Sequence, residues 1–276
     1  MITLSQEDFK KLSVYVYQEC GINLTPPKHA LVQGRLQKRL QSLNMKSFLE
    51  YYRYVKGPKG HDEIVRLLDA VSTNKTDFFR ENTHFKFISG EVLPEFKSLN
   101  ENKSFNIWSA ACSSGEEPYT MAMVMEEFIR LNGPLDYHIQ ACDISTQALK
   151  RGVSAVYRDD HIQDVPMELR KRYLLKSKDT EKRLVRVGSK LRTRVNFFRM
   201  NLMKESYTQE IKSLQDIIFC RNVLIYFDRD TQYAVVSKLL QRLKPGGYLL
   251  IGHSESLFKM DLPLKQIMPA TYQKTL

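Results

Sequence analysis

The chain has 276 residues, 42% of them hydrophobic and 26% charged, the balance of a soluble globular protein with room for one large domain or a small and a medium one. No apolar run approaches the ~20 residues that span a bilayer, and the MITLSQEDFKK start lacks the basic-then-apolar layout of a secretory leader, so a cytoplasmic protein is expected. A formal net charge of +11 favours acidic partners, whether nucleic acid, anionic lipid or an acidic protein face.

Residues 1–72 read as short helices. Ser5 is placed to cap the first, with Asp8 three residues on and a Leu4–Phe9 staple. Phe9, Leu12 and Val16 then recur at helical spacing. Thr25-Pro26 opens a second helix carrying Leu36, Leu40 and Leu43. Ser47 and Glu50 signal a third, with Tyr51, Tyr52 and Val55; after the Gly57-Pro58-Lys59-Gly60 loop, Ile64, Val65, Leu67, Leu68 and Val71 mark a fourth. On the second helix Arg35, Lys38 and Arg39 fall at i, i+3 and i+4, which predicts one basic stripe.

From about residue 105 short apolar strands alternate with helices. Strands are expected at 105–111, 137–143, 195–201, 216–227 and 248–254, and helices at 118–131, 145–151 and 231–243. The alternation predicts a mostly parallel sheet covered on both faces, with ATYQKT as an edge strand. Residues 183–187 and 191–197, separated by Gly188-Ser189-Lys190, alternate apolar with basic residues and read as a hairpin. The four cysteines form no CxxC pair and the six histidines no HExxH, so no metal site is expected.

In an open α/β sheet, ligands bind beyond the carboxyl ends of the strands. The first such loop, Ser113-Ser114-Gly115-Glu116-Glu117, holds one glycine and two carboxylates. A phosphate needs several glycines and no acids there, so the loop suits an adenosine ligand with an amino group and no phosphate, as S-adenosylmethionine is. Asp143, at the end of the second strand, is placed either to hold a ribose or to cap the next helix. The segment STNKTDFFRENTHF, 72–85, is a linker with two core phenylalanines or a lid over the cofactor.

STNKTDFFRENTHF, WSAACSSGEEPYTMAM, ACDIS, IIFCRNVLIYFD and LKPGGYLLIGHSES together resemble chemotaxis receptor methyltransferases of the CheR type, in the expected order over residues 5–275. The resemblance implies a Rossmann-like, class I S-adenosylmethionine-dependent α/β domain, 101–276, with a small antiparallel β-subdomain inserted at about 178–197. A helical domain, 1–72, and a linker bearing a cofactor-contacting lid, 73–100, would precede it. The implied activity is methylation of glutamate side chains of methyl-accepting chemotaxis receptors to γ-glutamyl methyl esters, leaving S-adenosylhomocysteine. Asn74, Thr76, Arg80, Glu117, Asp143, Asn201, Leu202, Arg221 and Asn222 would contact the cofactor, and Arg80 and Tyr226 would lie near the transferred methyl group. The basic stripe of Arg35, Lys38 and Arg39 then has an acidic helical bundle to dock, and the β-subdomain a receptor C-terminal peptide. His253 is assigned only a structural hydrogen bond. Two rival readings are a nucleic-acid methyltransferase, against which RNVLIYF stands where [DN]PP[YFW] is expected, and a non-catalytic receptor-binding protein.

Overall fold

The computed structural model describes residues 2–100, 103–179 and 181–275. Four helices come first: α1 (Gln6–Cys20), α2 (His29–Ser42), α3 (Phe48–Lys56) and α4 (His61–Val71). Ser5 caps α1, its side chain accepting from the Asp8 N–H at 3.0 Å, and Ser47 caps α3 by accepting from Glu50 N–H at 3.1 Å. Thr25 opens a 3₁₀ turn, Pro26–Lys28, before α2 begins. Phe9, Leu12, Val16, Leu36, Leu40, Tyr51, Val55, Leu67, Leu68 and Val71 interlock in one core, with Leu43, Tyr52 and Ile64 partly buried against it.

The segment after α4 is not a plain linker. After the irregular residues 72–77 and a turn, α5 (Thr83–Phe87) passes through a widened π turn, Ile88–Val92, into α6 (Leu93–Leu99). Pro94 has no N–H to give the preceding turn, which fits the widening beside it. Phe78, Phe85, Ile88 and Leu93 are buried against the sheet domain.

That domain runs β1 (Phe105–Ala110), α7 (Glu116–Asn132), β2 (Tyr137–Asp143), α8 (Thr146–Ser154), β3 (Val156–Arg158), α9 (Met167–Tyr173), β4 (Leu174–Lys176), β5 (Leu184–Val187), α10 (Ser189–Arg192), β6 (Val195–Arg199), β7 (Gln215–Cys220), α11 (Arg229–Arg242), β8 (Leu243–Ile251), β9 (Leu264–Met268) and β10 (Thr271–Lys274). The seven-stranded sheet has the order β6-β2-β1-β7-β8-β10-β9. Its first five strands are parallel, with Ile107 level with Ile139 and Ile217; β10 and β9 run antiparallel. Along β1, Phe105 and Ile107 face one core while Trp108 and Ala110 face the other, which is why the parallel strands read as continuous apolar runs.

Three expectations are corrected. The ATYQKT segment forms β10, but β9 lies outside it and is the true edge. The fourth strand stops at Cys220, where Arg221 and Asn222 leave the sheet and a 3₁₀ turn, Leu224–Tyr226, follows. The 183–197 hairpin does not form. β5 pairs antiparallel with β3 and β4, whereas β6 pairs parallel with β2 in the main sheet, and α10 lies between them. The small sheet, order β3-β5-β4, therefore begins at Val156.

The helical domain sits over the carboxyl ends of the strands and is bonded there. Asn23 N–H donates to Tyr226 O at 2.8 Å, Tyr17 OH to Asp228 Oδ2 at 2.6 Å, Asn201 Nδ2 to Glu19 O at 2.6 Å and Thr146 Oγ1 to Asp69 Oδ2 at 2.9 Å. No helix among the described residues is long and apolar enough to cross a membrane.

Candidate functional site

A cleft of about 980 Å³, its mouth open to solvent included, lies where the helical domain meets the strand ends. Asn74, Thr76, Arg80, Glu117, Asp143, Asn201, Leu202, Arg221, Asn222 and Tyr226, separated by up to 152 positions of sequence, all line it. Cys20, Ile22 and Val71 add an apolar wall from the helical domain that the sequence did not mark.

The loop after β1 has a geometry unlike a phosphate cradle. Ala111 and Cys112 N–H both donate to Cys142 O at 2.8 Å, and Ser113 N–H donates to Asp143 Oδ2 at 2.8 Å. Three of the donors that a phosphate would need are thus already engaged. Ala111 and Ser113 adopt positive φ to make this turn. The loop's one glycine, Gly115, has φ of +95°, and a Cβ there would come 3.0 Å from Gly152 Cα and 3.1 Å from Phe197. Its smallness serves the packing of α7 against α8 and β6, and it does not line the cleft.

Acceptors, by contrast, do line it. Asp143 is 7% exposed, and its Oδ1 also accepts from Ser145 N–H at 2.8 Å. Burial pushes its carboxyl up, against the N–H groups of Ser145 and Ser113, which stabilise the charged form. Ser145, and not Asp143, caps α8, accepting from Ala148 N–H at 3.1 Å. The capping alternative for Asp143 is therefore ruled out. Glu117 accepts from Ser109 Oγ at 2.6 Å and from Arg221 Nη1 at 2.9 Å. Its neighbour Glu116 turns away from the cleft, 3% exposed, holding Ser114 Oγ at 2.8 Å; burial raises its carboxyl to about 7.

Arg221 is the hub of the sheet-side wall. Besides Glu117 it reaches Glu81 Oε2, 3.0 Å from Nη2, and donates to Arg80 O. Burial raises the Glu81 carboxyl, but Arg221 and the Asn222 amide, 3.2 Å from Oε1, outweigh it and leave it below the usual value. Glu255 accepts from the N–H groups of Gly252, Asn222 and Ile225, fixing Asn222 in a left-handed conformation with φ of +57°. A Cβ on Gly252 would lie 2.9 Å from Asn222 N, so this close approach needs glycine. Glu81 and Glu255 lie inside the quoted sequence blocks, but Arg221 is 140 residues from Glu81 and Asn222 is 33 from Glu255, and no spacing signals either pairing.

The other side is looser. Asn74 Nδ2 reaches Ser145 Oγ at 3.2 Å, and Ser113 Oγ donates to Asn74 O at 3.0 Å. Arg80 Nη1 donates to Lys75 O at 3.0 Å. Tyr226 lies under Lys28 Nζ, 5.3 Å from the ring centre. His253 Nε2 lies 3.3 Å from Thr83 Oγ1, with the fully buried His84 ring 5.0 Å away; burial, and then the Arg221 charge, lower the His84 imidazole to about 3.

The basic stripe is divided. Arg39 makes a two-bond ion pair with buried Glu63, at 2.8 and 2.6 Å, which also accepts from Tyr51 OH. Arg35 closes the end of α4, donating to Val71 O at 3.0 Å and Ser72 O at 2.8 Å. Lys38 remains exposed. Helical spacing placed the three on one face; it does not register that α4 packs across that face and takes two of them.

Residues 7–72 match the family described as CheR methyltransferase, all-alpha domain, and residues 74–273 match CheR methyltransferase, SAM binding domain. A chemotaxis protein methyltransferase of Borreliella burgdorferi is 39% identical over 99% of this chain and 96% of its own length. Chemotaxis protein methyltransferase 2 of Pseudomonas aeruginosa is 34% identical, covering 97% of this chain and 93% of the relative. The Escherichia coli chemotaxis protein methyltransferase is 33% identical, covering 94% and 88%. With both domains matched and the relatives spanned nearly end to end, this chain belongs to the CheR methyltransferase family, and its cofactor is S-adenosylmethionine.

Proposed function

We propose that this protein methylates glutamate side-chain carboxylates of chemotaxis receptors to γ-glutamyl methyl esters. The observation that carries the reading is the 39% identity, over 99% of the chain, to a chemotaxis protein methyltransferase. The cleft's chemistry supports it. Asp143, with lone pairs beyond those used by Ser113 and Ser145, is positioned for ribose hydroxyls, and Glu117 for a cationic amino acid end. Asn74, Thr76, Asn201, Leu202, Arg221 and Asn222 complete the lining around them.

Bound there, S-adenosylmethionine supplies an electrophilic methyl group on a cationic sulfur, which a glutamate carboxylate accepts without first losing a proton, its ordinary pKa being about 4.3. No general base is required of the chain. Its contribution is alignment and exclusion of water, and alignment alone contributes ~7–11 kcal/mol to such steps. Arg80 and Tyr226, on the cleft lining and only partly buried, are assigned to orienting the incoming carboxylate. Lys38 and the net charge of +11 favour an acidic receptor bundle as the docking partner, with Arg35 and Arg39 acting through the fold of α2 against α4. The outer strand β4, paired on one side only and with Leu175 61% exposed, offers an edge to a receptor C-terminal peptide. The nucleic-acid reading is not favoured by these relatives.

The test is transfer of labelled methyl from S-adenosylmethionine to receptor cytoplasmic fragments. Label on glutamate that alkali releases as methanol is expected; alkali-stable label, or label in RNA alone, overturns the reading.

A further inference from the structure

Among the described residues, one cluster of possible ligand atoms lies outside the cleft lining. Glu81, His84 and His253 each offer a ligand atom, and these atoms all lie within 4.8 Å of one another. His84 is 0% exposed, yet neither of its ring nitrogens has a hydrogen-bond partner. A buried imidazole with both nitrogens unsatisfied is uncommon, and His84 Nδ1 lies 3.9 Å from Glu81 Oε2. None of the three residues lines the methyl-donor cleft.

We propose that Glu81, His84 and His253 form a binding site for one divalent cation of the zinc class, joining the start of α5 to the loop after β8. Two imidazoles and a carboxylate are a donor set such ions accept, with water in the remaining position. Ligands at ~2.0–2.1 Å on a tetrahedral ion sit about 3.4 Å apart, so Nδ1 and Oε2 need close by only about half an ångström. Charge is favourable: Glu81 and Glu117 are two carboxylates flanking the single guanidinium of Arg221. Arg221 then plays the outer partner that orients a ligating carboxylate. His253 is exposed, which gives the ion a path from solvent. Because Arg221 touches both Glu81 and Glu117, cation binding and cofactor binding are coupled, and the coupling is reciprocal.

The test uses the full chain, stripped with a chelator, titrated with Zn²⁺ by calorimetry and with Co²⁺ by visible absorption. One ion per chain is expected, with the intense Co²⁺ bands of low-coordinate nitrogen ligation. His253→Gln, at an exposed position, should weaken Zn²⁺ binding about tenfold or more while the metal-free melting temperature is unchanged. Zn²⁺ should raise the melting temperature of the wild type and not of this variant. His161→Gln, at an exposed histidine beside Asp160, should bind as wild type does. If His84→Gln fails to fold, His253→Gln alone decides. A wild-type chain that binds no Zn²⁺ at micromolar concentration, a His253→Gln chain that binds it undiminished, or equal loss in His161→Gln overturns the proposal.

Discussion

The two walls of the cleft are built on different principles. On the sheet side Asp143, Glu117 and Arg221 are buried or nearly so, and each is fixed by at least two hydrogen bonds. Across from them, residues 72–77 have no regular structure, and Thr73, Asn74 and Lys75 are exposed. Phe78, 0% exposed, anchors the end of that segment. One wall is set before any ligand arrives, at the cost of burying charge. The other is held by few contacts, and we propose that it is the part that closes over a ligand.

The largest test of this contrast is Arg221→Met. It leaves Glu81 and Glu117 without their shared partner, so the chain should lose about 3–5 kcal/mol by chemical denaturation and its transferase activity with it. A loss of under about 1 kcal/mol, within the range of an exposed pair, would mean that this wall is not a preorganised network.

A second test addresses the charge buried behind the same wall. The carboxyl of Glu116 is raised to about 7 from 4.5. The folded chain therefore holds this proton more tightly than the unfolded one. Its contribution to stability is full below about pH 4.5 and is lost as pH rises through about 7. Glu116→Gln should remove that decline, making the variant more stable than wild type by about 1–3 kcal/mol at pH 8, with the gain vanishing at pH 4.5. Parallel stability curves for the two proteins would show that the carboxyl is not strained by burial.

The smallest stability effect belongs to the opposite wall. Asn74→Ala removes one partly exposed hydrogen bond to Ser145 and should change stability by under about 0.5 kcal/mol. Its affinity for S-adenosylmethionine should nonetheless fall several-fold, measured by calorimetry. Unchanged affinity would make residues 72–77 a linker and no more.

The contrast between the walls was partly legible before any coordinates. The parallel strands announce themselves because burial on both faces leaves unbroken apolar runs such as IIFC. The acid-rich, glycine-poor loop after β1 told the chemistry of its ligand directly. The small sheet did not read, since β3 and β4 have three residues each, too few for an alternation. The alternation that did appear at 191–197 falls partly on α10 and partly on β6, an outer strand of the main sheet with one side toward solvent. Arg39 looked like a docking residue because its periodicity is that of an exposed face, while Glu63 sits on a different helix. Glu81 and His84 were silent for a similar reason: Arg221 and His253 lie more than a hundred residues of chain away from them.

The spent amides of Ala111, Cys112 and Ser113 have a consequence for selection among the adenosine compounds of a cell. ATP carries the same nucleoside as the methyl donor, but its phosphates would meet the carboxylates of Glu117 and Asp143, and the amides of Ala111, Cys112 and Ser113 are already bonded elsewhere. The loop thus discriminates by refusing as much as by binding.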